Sequence, residues 1–236
     1  MTKYLIPAAV IAAVLVSAPA AAHDGLMYVS GDIGILMPRD SEIDVTDVAT
    51  GATFNNAADW QYDTGFDASG EVGYDFGMFK LEGELGYKHA SFTAINPSAD
   101  WLNFLHDHLV VVNPLATPVV AGDIDLHGGV DIIDTMVNGL VDIGPDHGFG
   151  GYVGGGIGMG WAKAYGESSS SFAWQFIAGV KYPVSDQLDI GLKYKYFDLA
   201  GLDFVPGVDV HGANFDTNLD SRFSTHSIDV NLTYNF

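Results

Sequence analysis

The chain has 236 residues with 9 basic against 30 acidic side chains, a formal net charge of -21, and no cysteine. That charge repels phosphate and excludes a basic nucleic-acid binder, while 48% hydrophobic and only 17% charged residues exclude a disordered acidic tail. Without cysteine there is no disulfide framework, thiolate zinc site or cysteine nucleophile.

Residues 1–22 read as a signal peptide. Lys3 supplies the positive start, Leu5 to Val16 the short apolar stretch, and Ala20-Ala21-Ala22 a small-residue cleavage site that leaves His23 as the new N-terminus. The apolar run ends in Ser17, Pro19 and alanines, short of the roughly 20 residues of a membrane helix. No later segment approaches a spanning helix, so any membrane role falls to strands. The remaining chain, about 214 residues, suits a single β domain.

Eight segments then alternate with period two. Met27, Val29, Ile33 and Ile35 oppose Tyr28, Ser30 and Asp32; Phe66, Ala68, Val72 and Tyr74 oppose Asp67, Ser69 and Glu71. Leu81, Leu85 and Tyr87 oppose Lys80, Glu82, Glu84 and Lys88, and Ile133, Val137, Val141 and Ile143 oppose Asp134, Asn138 and Asp142. In the fifth segment Val153, Ile157, Met159 and Trp161 face away from a row of glycines, Gly154, Gly156, Gly158 and Gly160, which makes room for large side chains opposite. Phe172, Trp174, Phe176 and Val180 oppose Gln175 and Lys181, and Leu188, Ile190, Leu192, Tyr194 and Tyr196 oppose Asp189, Gly191, Lys193 and Lys195. The last segment places His226, Ile228, Val230, Leu232, Tyr234 and Phe236 on one face, with Asp229, Asn231 and Thr233 on the other.

Connections alternate in length. Tight turns are expected near Gly77-Met78, Gly144 to Gly148 and Ser185 to Gln187, and longer polar loops near 38–64, 93–128, 164–171 and 200–223. Charged residues on the face opposite the apolar one do not suit a soluble barrel, whose inside must be apolar. In lipid the apolar face turns outward and closure leaves no unpaired edge. The expected fold is therefore all-β, an eight-stranded antiparallel up-and-down transmembrane barrel. Tyr74, Phe76, Phe149, Tyr182 and Phe236 fall at the short-turn rim, and Tyr87, Trp161, Phe172, Trp174 and Tyr196 toward the long-loop rim, as two interfacial girdles.

These motifs resemble the opacity-type outer-membrane barrel family, often labelled porin-like. The resemblance rests on Gly65-Phe66-Asp67, Glu71-Val72-Gly73-Tyr74, Leu81 to Tyr87, Gly151 to Gly158 and Tyr194-Lys195-Tyr196-Phe197. The terminal Leu232-Thr233-Tyr234-Asn235-Phe236 is similar to the signal that the barrel assembly machinery of Gram-negative bacteria reads, with Tyr234 and Phe236 as its rings. The resemblance implies the Gram-negative outer membrane after leader cleavage, with the loops outside. It covers roughly residues 26–92 and 128–236, and the 93–127 segment departs from it.

Face parity assigns a luminal charge network of Lys80, Glu82, Glu84, Lys88, Asp134, Asp142, Lys181, Lys193 and Lys195. With Asp32, Asp67, Glu71, Asp75, Asp189 and Asp229 added, ten inward acids face five inward bases. An eight-stranded barrel is just wide enough to be filled by side chains, so a salt-bridged plug is expected. The four loops carry 15 acidic residues against Arg39 and Arg222. They form either a hydrated repulsive surface or one that divalent cations bridge to lipopolysaccharide and other outer-membrane lipid.

Asp40 to Asp44 and Asp123-Ile124-Asp125 lack the glycine and terminal glutamate of a calcium loop. Ser98 to Val111 reads as a short amphipathic helix, capped by Ser98 with Trp101, Leu102, Leu105 and Leu109 at helical spacing, lying on the outer leaflet or over the mouth. His106-Asp107-His108 within it reads as polar surface, and His226 and Ser227 point to opposite sides of their strand, so they form no dyad. No catalytic, cofactor or metal residue is assigned, and nucleic acid is not an expected partner. The leading function is a non-enzymatic structural, adhesive or envelope-organising surface protein. The alternatives are a narrow cation-preferring channel and, third, a lipid-modifying enzyme. Deleting Phe236 should lower the assembled amount in cells, measured by heat-modifiable gel mobility, while refolding in detergent stays near the parent; equal assembly in cells contradicts the signal.

Overall fold

The computed structural model describes residues 25–112, 128–144, 148–164, 166–204, 207–210 and 213–236. The expected signal peptide, all of 113–127 with Asp123 to Asp125, and residues 145–147 of the expected Gly144 to Gly148 turn lie outside the described residues. Among the described residues eleven strands and one helix follow in chain order: β1 (Met27–Pro38), β2 (Ser41–Asp47), β3 (Thr53–Tyr62), β4 (Gly65–Asp75), β5 (Phe79–Pro97), α1 (Ala99–Val112), β6 (Gly129–Ile143), β7 (Gly150–Ala164), β8 (Glu167–Pro183), β9 (Leu188–Phe204), β10 (Gly207–Val210) and β11 (Ala213–Asn235).

Neighbours pair antiparallel around a ring β1-β4-β5-β6-β7-β8-β9-β11, and β11 returns to β1 with Val230 opposite Ile33. Closure is what makes the outer face possible: with no open edge, every backbone group in the apolar zone bonds to a neighbour. Each ring strand contributes an exposed apolar side chain, among them Ile33, Leu81, Val137, Ile157, Phe176, Leu192 and Val230. So continuous an apolar belt is incompatible with water and fits hydrocarbon.

Three of the expected loops are mostly strand. Residues 38–64 form the hairpin β2-β3, which pairs with β11 on one side and β5 on the other and so continues the wall above β1 and β4. Residues 200–223 extend β9 and β11 and add β10, and in 164–171 β7 runs to Ala164 and β8 starts at Glu167, its partner. A strand needs roughly 9–11 residues to cross the hydrocarbon. With 23 residues in β11 and 19 in β5, the excess stands beyond the membrane.

Polarity reverses at that boundary. Along β9 the inward residues change from Lys193 and Lys195 to Phe197 and Leu199, along β6 from Asp134 to Ile132, and along β5 from Lys88 to Ala90, all buried. Outside lipid, the wall again needs an apolar interior, and Ile43, Val45, Trp60, Leu202, Leu219 and Phe223 supply it. Their outward neighbours Glu42, Asp59 and Asp220 are exposed. The luminal plug expected throughout therefore fills only the membrane-spanning part.

The helix closes the mouth rather than lying on the outer leaflet. Trp101 and Leu105 are buried in the same apolar cluster, and Phe104 packs on Phe54 with ring centroids 4.8 Å apart. Ser98 accepts the Trp101 N–H at 3.3 Å as the N-cap, and its own N–H donates to the Ala57 carbonyl at 2.7 Å. His108 Nδ1 lies 3.0 Å from the Phe104 carbonyl, within its own helix.

A broad protease applied to intact cells should cut at the β2-β3 tip, residues 48–52, where Val48 is exposed and pairing stops. Cutting at Val184 to Gln187 instead would invert the topology.

Candidate functional site

The pleat of a closed sheet gives each side chain only two directions, and this places all five inward lysines among carboxylates of other strands. Lys195, fully buried on β9, has Asp67 at 3.2 Å, Asp229 at 3.4 Å and Glu84 at 3.6 Å, with Ser69 Oγ at 3.1 Å. Lys88 donates to Asp134 at 2.7 Å, lies 3.6 Å from Asp67 and stands over the Phe197 ring at 4.4 Å. That cation–π contact lies on the seam between the charged and apolar layers.

One layer nearer the short-turn rim, Lys193 donates to Asp32 at 2.6 Å and faces Glu71 at 3.4 Å. Neutral donors hydrogen-bond some of the surplus carboxylates. Ser30 donates to Glu71 at 2.6 Å, Asn231 to Asp32 at 2.5 Å, and Tyr28 to Glu82 at 2.8 Å. Asn138 and Gln175 donate to Glu84 at 2.7 and 2.6 Å. At the rim itself Lys80 bridges Asp75 and Asp142 at 3.3 and 3.0 Å, and Lys181 pairs with Asp142.

Small residues make the packing possible. A Cβ at Gly156 would overlap Asn138, and one at Gly160 would sit 2.8 Å from Leu199. The glycine row of β7 is space for its neighbours.

A second polar site lies on the outer wall just above the membrane zone. Here Arg39, at the break between β1 and β2, and Arg222 on β11 line a groove of about 450 Å³ with Tyr196 and the carboxylates of Asp40, Glu42, Asp44, Asp198 and Asp220, so its lining is net acidic. Arg222 donates through Nε and Nη2 to Asp198 at 2.8–3.0 Å, and this hydrogen-bonded carboxylate holds the guanidinium above its ordinary range. Asp198 is only 1% exposed although strand parity turns it outward, a burial that sequence alternation alone does not reveal. One rung further out Asp220 stands opposite Asp44 and Asp203; partial burial, then those two carboxylates, push it up.

In the Asp40 to Asp44 stretch Asp40 precedes β2 and residues 41–44 start it, with Ser41 and Ile43 buried and Glu42 exposed; among the described residues no cluster of three ligands could hold a metal. His226 accepts or donates at 2.7 Å to the Tyr194 hydroxyl on the outer face, whereas Ser227 donates to Asp229 inside at 3.0 Å. Tyr234 and Phe236 stack edge-on at 5.3 Å, and the Phe236 N–H donates to the Met27 carbonyl.

The sequence matches the family model described as outer membrane protein beta-barrel domain over residues 7–236. The chain belongs to this outer-membrane barrel family. Its place is accordingly the Gram-negative outer membrane. Among solved structures the barrel is similar to OprG from Pseudomonas aeruginosa, with a TM-score of 0.59 at 13% identity over 90% of this chain and 96% of that one. It also matches Neisserial surface protein A at TM-score 0.46 and 13% identity, over 89% of this chain and 97% of that one. The Yersinia pestis attachment invasion locus protein matches at TM-score 0.32 and 14% identity, over 91% and 100%. Such identities speak to the fold alone. No curated protein matches the chain.

Removing a partner from a buried ion pair costs about 3–5 kcal/mol, because the charge left behind stays desolvated. Lys195→Ala should therefore lower the stability of the refolded barrel in detergent by about that amount, and Lys193→Ala together with Lys195→Ala by more. Adding Asp229→Asn to Lys195→Ala should recover part of it. A double variant that melts like the parent would contradict the network.

Proposed function

We propose that the protein is a closed, non-enzymatic outer-membrane barrel with a structural, adhesive or envelope-organising role, carried by the strand-built surface above the membrane. The filled lumen supports this reading: three lysines with at most 3% exposure cross the interior beneath an apolar core capped by α1. At the short-turn rim the space lined by Tyr28, Lys80 and Lys193 is about 30 Å³, room for only one or two waters.

The excess of inward carboxylates supports a second reading, a narrow cation-preferring channel, which would require the apolar layer to part. Reconstitution into planar bilayers separates the two. The closed reading predicts no conductance steps from the parent in molar potassium chloride, and steps only after Lys193→Ala with Lys195→Ala empties the charged layer. Steady cation-selective steps from the parent would overturn it in favour of the channel. In cells, the mature protein should begin at His23, as N-terminal sequencing of the purified barrel would read.

A further inference from the structure

Three lysines are buried in the lumen, Lys88, Lys193 and Lys195, and among the described residues only Lys193 meets carboxyl groups whose oxygens are all engaged. Lys193 Nζ donates to Asp32 Oδ2 at 2.6 Å, and Asn231 Nδ2, directly opposite Asp32 on β11, donates to Oδ1 at 2.5 Å. Glu71 completes the group from β4. Its Oε1 lies 3.4 Å from Lys193 Nζ and 2.8 Å from Ser69 Oγ, and the same hydroxyl lies 3.2 Å from Asp32 Oδ2. These two shared neighbours set Glu71 Oε1 beside Asp32 Oδ2. Ser30 donates to the other Glu71 oxygen at 2.6 Å. The side chains of Lys193, Asp32 and Glu71 are at most 3% exposed. The surroundings of Lys88 and Lys195 differ, because Asp134 Oδ1, Glu84 Oε1, Asp229 Oδ1 and both Asp67 oxygens accept no hydrogen bond among the described residues.

We propose that Lys193 and Asp32 condense after folding into an intramolecular isopeptide bond that ties β9 to β1, with Glu71 as the proton carrier. This self-modification goes beyond the role of the outer surface and leaves that role unchanged. In water an amine and a carboxylic acid stay apart largely because both ionise and are hydrated. A dry site removes that advantage, since buried ions are costly and the amide carries no charge. Folding has already brought the two groups into contact, so the step is unimolecular. The Lys193 ammonium first passes one proton to Asp32 Oδ2, leaving an amine and a carboxylic acid. The nitrogen lone pair then forms the Nζ–Cγ bond while the carbonyl π pair moves to Oδ1, where the Asn231 amide stabilises the oxyanion. Glu71 Oε1 takes a proton from Nζ and delivers it to Oδ2. As the Oδ1 pair restores the carbonyl, the Cγ–Oδ2 bond breaks and Oδ2 leaves as water. One ammonium and one carboxylate thus become one amide and one water, with no net change of charge. The space of about 30 Å³ lined by Lys193 and Asn231 has room for that water. The product closes the chain between residues 32 and 193 into a covalent loop, which restricts the unfolded chain and so favours the barrel.

The test follows the full mature chain from denaturant into detergent micelles by intact-mass spectrometry, then maps the folded product by proteolysis and tandem mass spectrometry. In denaturant the chain should show the mass of the linear polypeptide. After folding the parent should lose the mass of one water, and a branched peptide should join the segment holding Asp32 to the segment holding Lys193. Lys193→Arg keeps the positive charge and cannot form the bond, so it should fold, read by heat-modifiable gel mobility, and retain its full mass. Glu71→Gln keeps the size of the side chain and should slow the loss of water by about a hundredfold, and Asn231→Ala should slow it by a similar factor. A folded parent of full mass with no branched peptide would overturn the bond. A parent that loses water without yielding the branched peptide, or a folded Lys193→Arg that loses water equally, would place the dehydration elsewhere and also overturn it. A folded Glu71→Gln that crosslinks at the parent rate would overturn the assigned proton carrier.

Discussion

Eight strands closed on themselves leave a bore too narrow for both side chains and bulk water, and the rest of the structure follows from filling it. Where the wall meets lipid, apolar residues are needed outside, so the bore receives the polar half of each strand. Charges taken from water are tolerable there only when paired and hydrogen-bonded. Lys193, hydrogen-bonded to Asp32 and Glu71, meets that condition, and Lys195 is paired by charge with Asp67, Asp229 and Glu84; both join strands far apart in the chain. Such links add to the closure that the backbone ladder already provides. Glycines on β7 then act as the complement of the large residues facing them.

The same bore changes character beyond the membrane because the solvent outside changes. A wall in water gains nothing from an apolar exterior, so Ile43, Val45, Leu199 and Phe223 turn inward and form an ordinary apolar core. Lys88, paired with Asp134 below and resting on Phe197 above, marks the seam where one solution gives way to the other. The helix α1 completes the upper core with Trp101 and Leu105, which is why an amphipathic stretch within an external connection is buried on its apolar side.

Much of this was legible in the sequence. Alternation along β5, β8 and β9 showed which residues face lipid, and with it the luminal position of Lys80, Lys88, Lys181, Lys193 and Lys195. The extensions were not legible as strands for a definite reason. Residues 41–47 alternate Ser, Glu, Ile, Asp, Val, Thr, Asp with only two apolar positions, and the chain breaks step at Arg39-Asp40 between Leu36, which faces in, and Ile43, which also faces in. Once parity shifts by one residue, a pattern extrapolated from the membrane segment assigns the wrong faces. Asp198 escaped for a related reason: its position is outward by alternation, and only the fold brings Arg222 across to cover it.

The central claim is that the lumen is closed in two layers, ionic below and apolar above. The absence of cysteine makes it directly measurable, because each introduced thiol is the only one in the chain. Single cysteines at Asn138 in the ionic layer, Leu199 in the apolar layer and Glu42 on the outer wall should be treated with a charged, membrane-impermeant thiol reagent in the refolded barrel. The account predicts rapid labelling at Glu42→Cys and none at Asn138→Cys or Leu199→Cys until the barrel is unfolded. Labelling of either interior position at the rate seen for Glu42→Cys would contradict it.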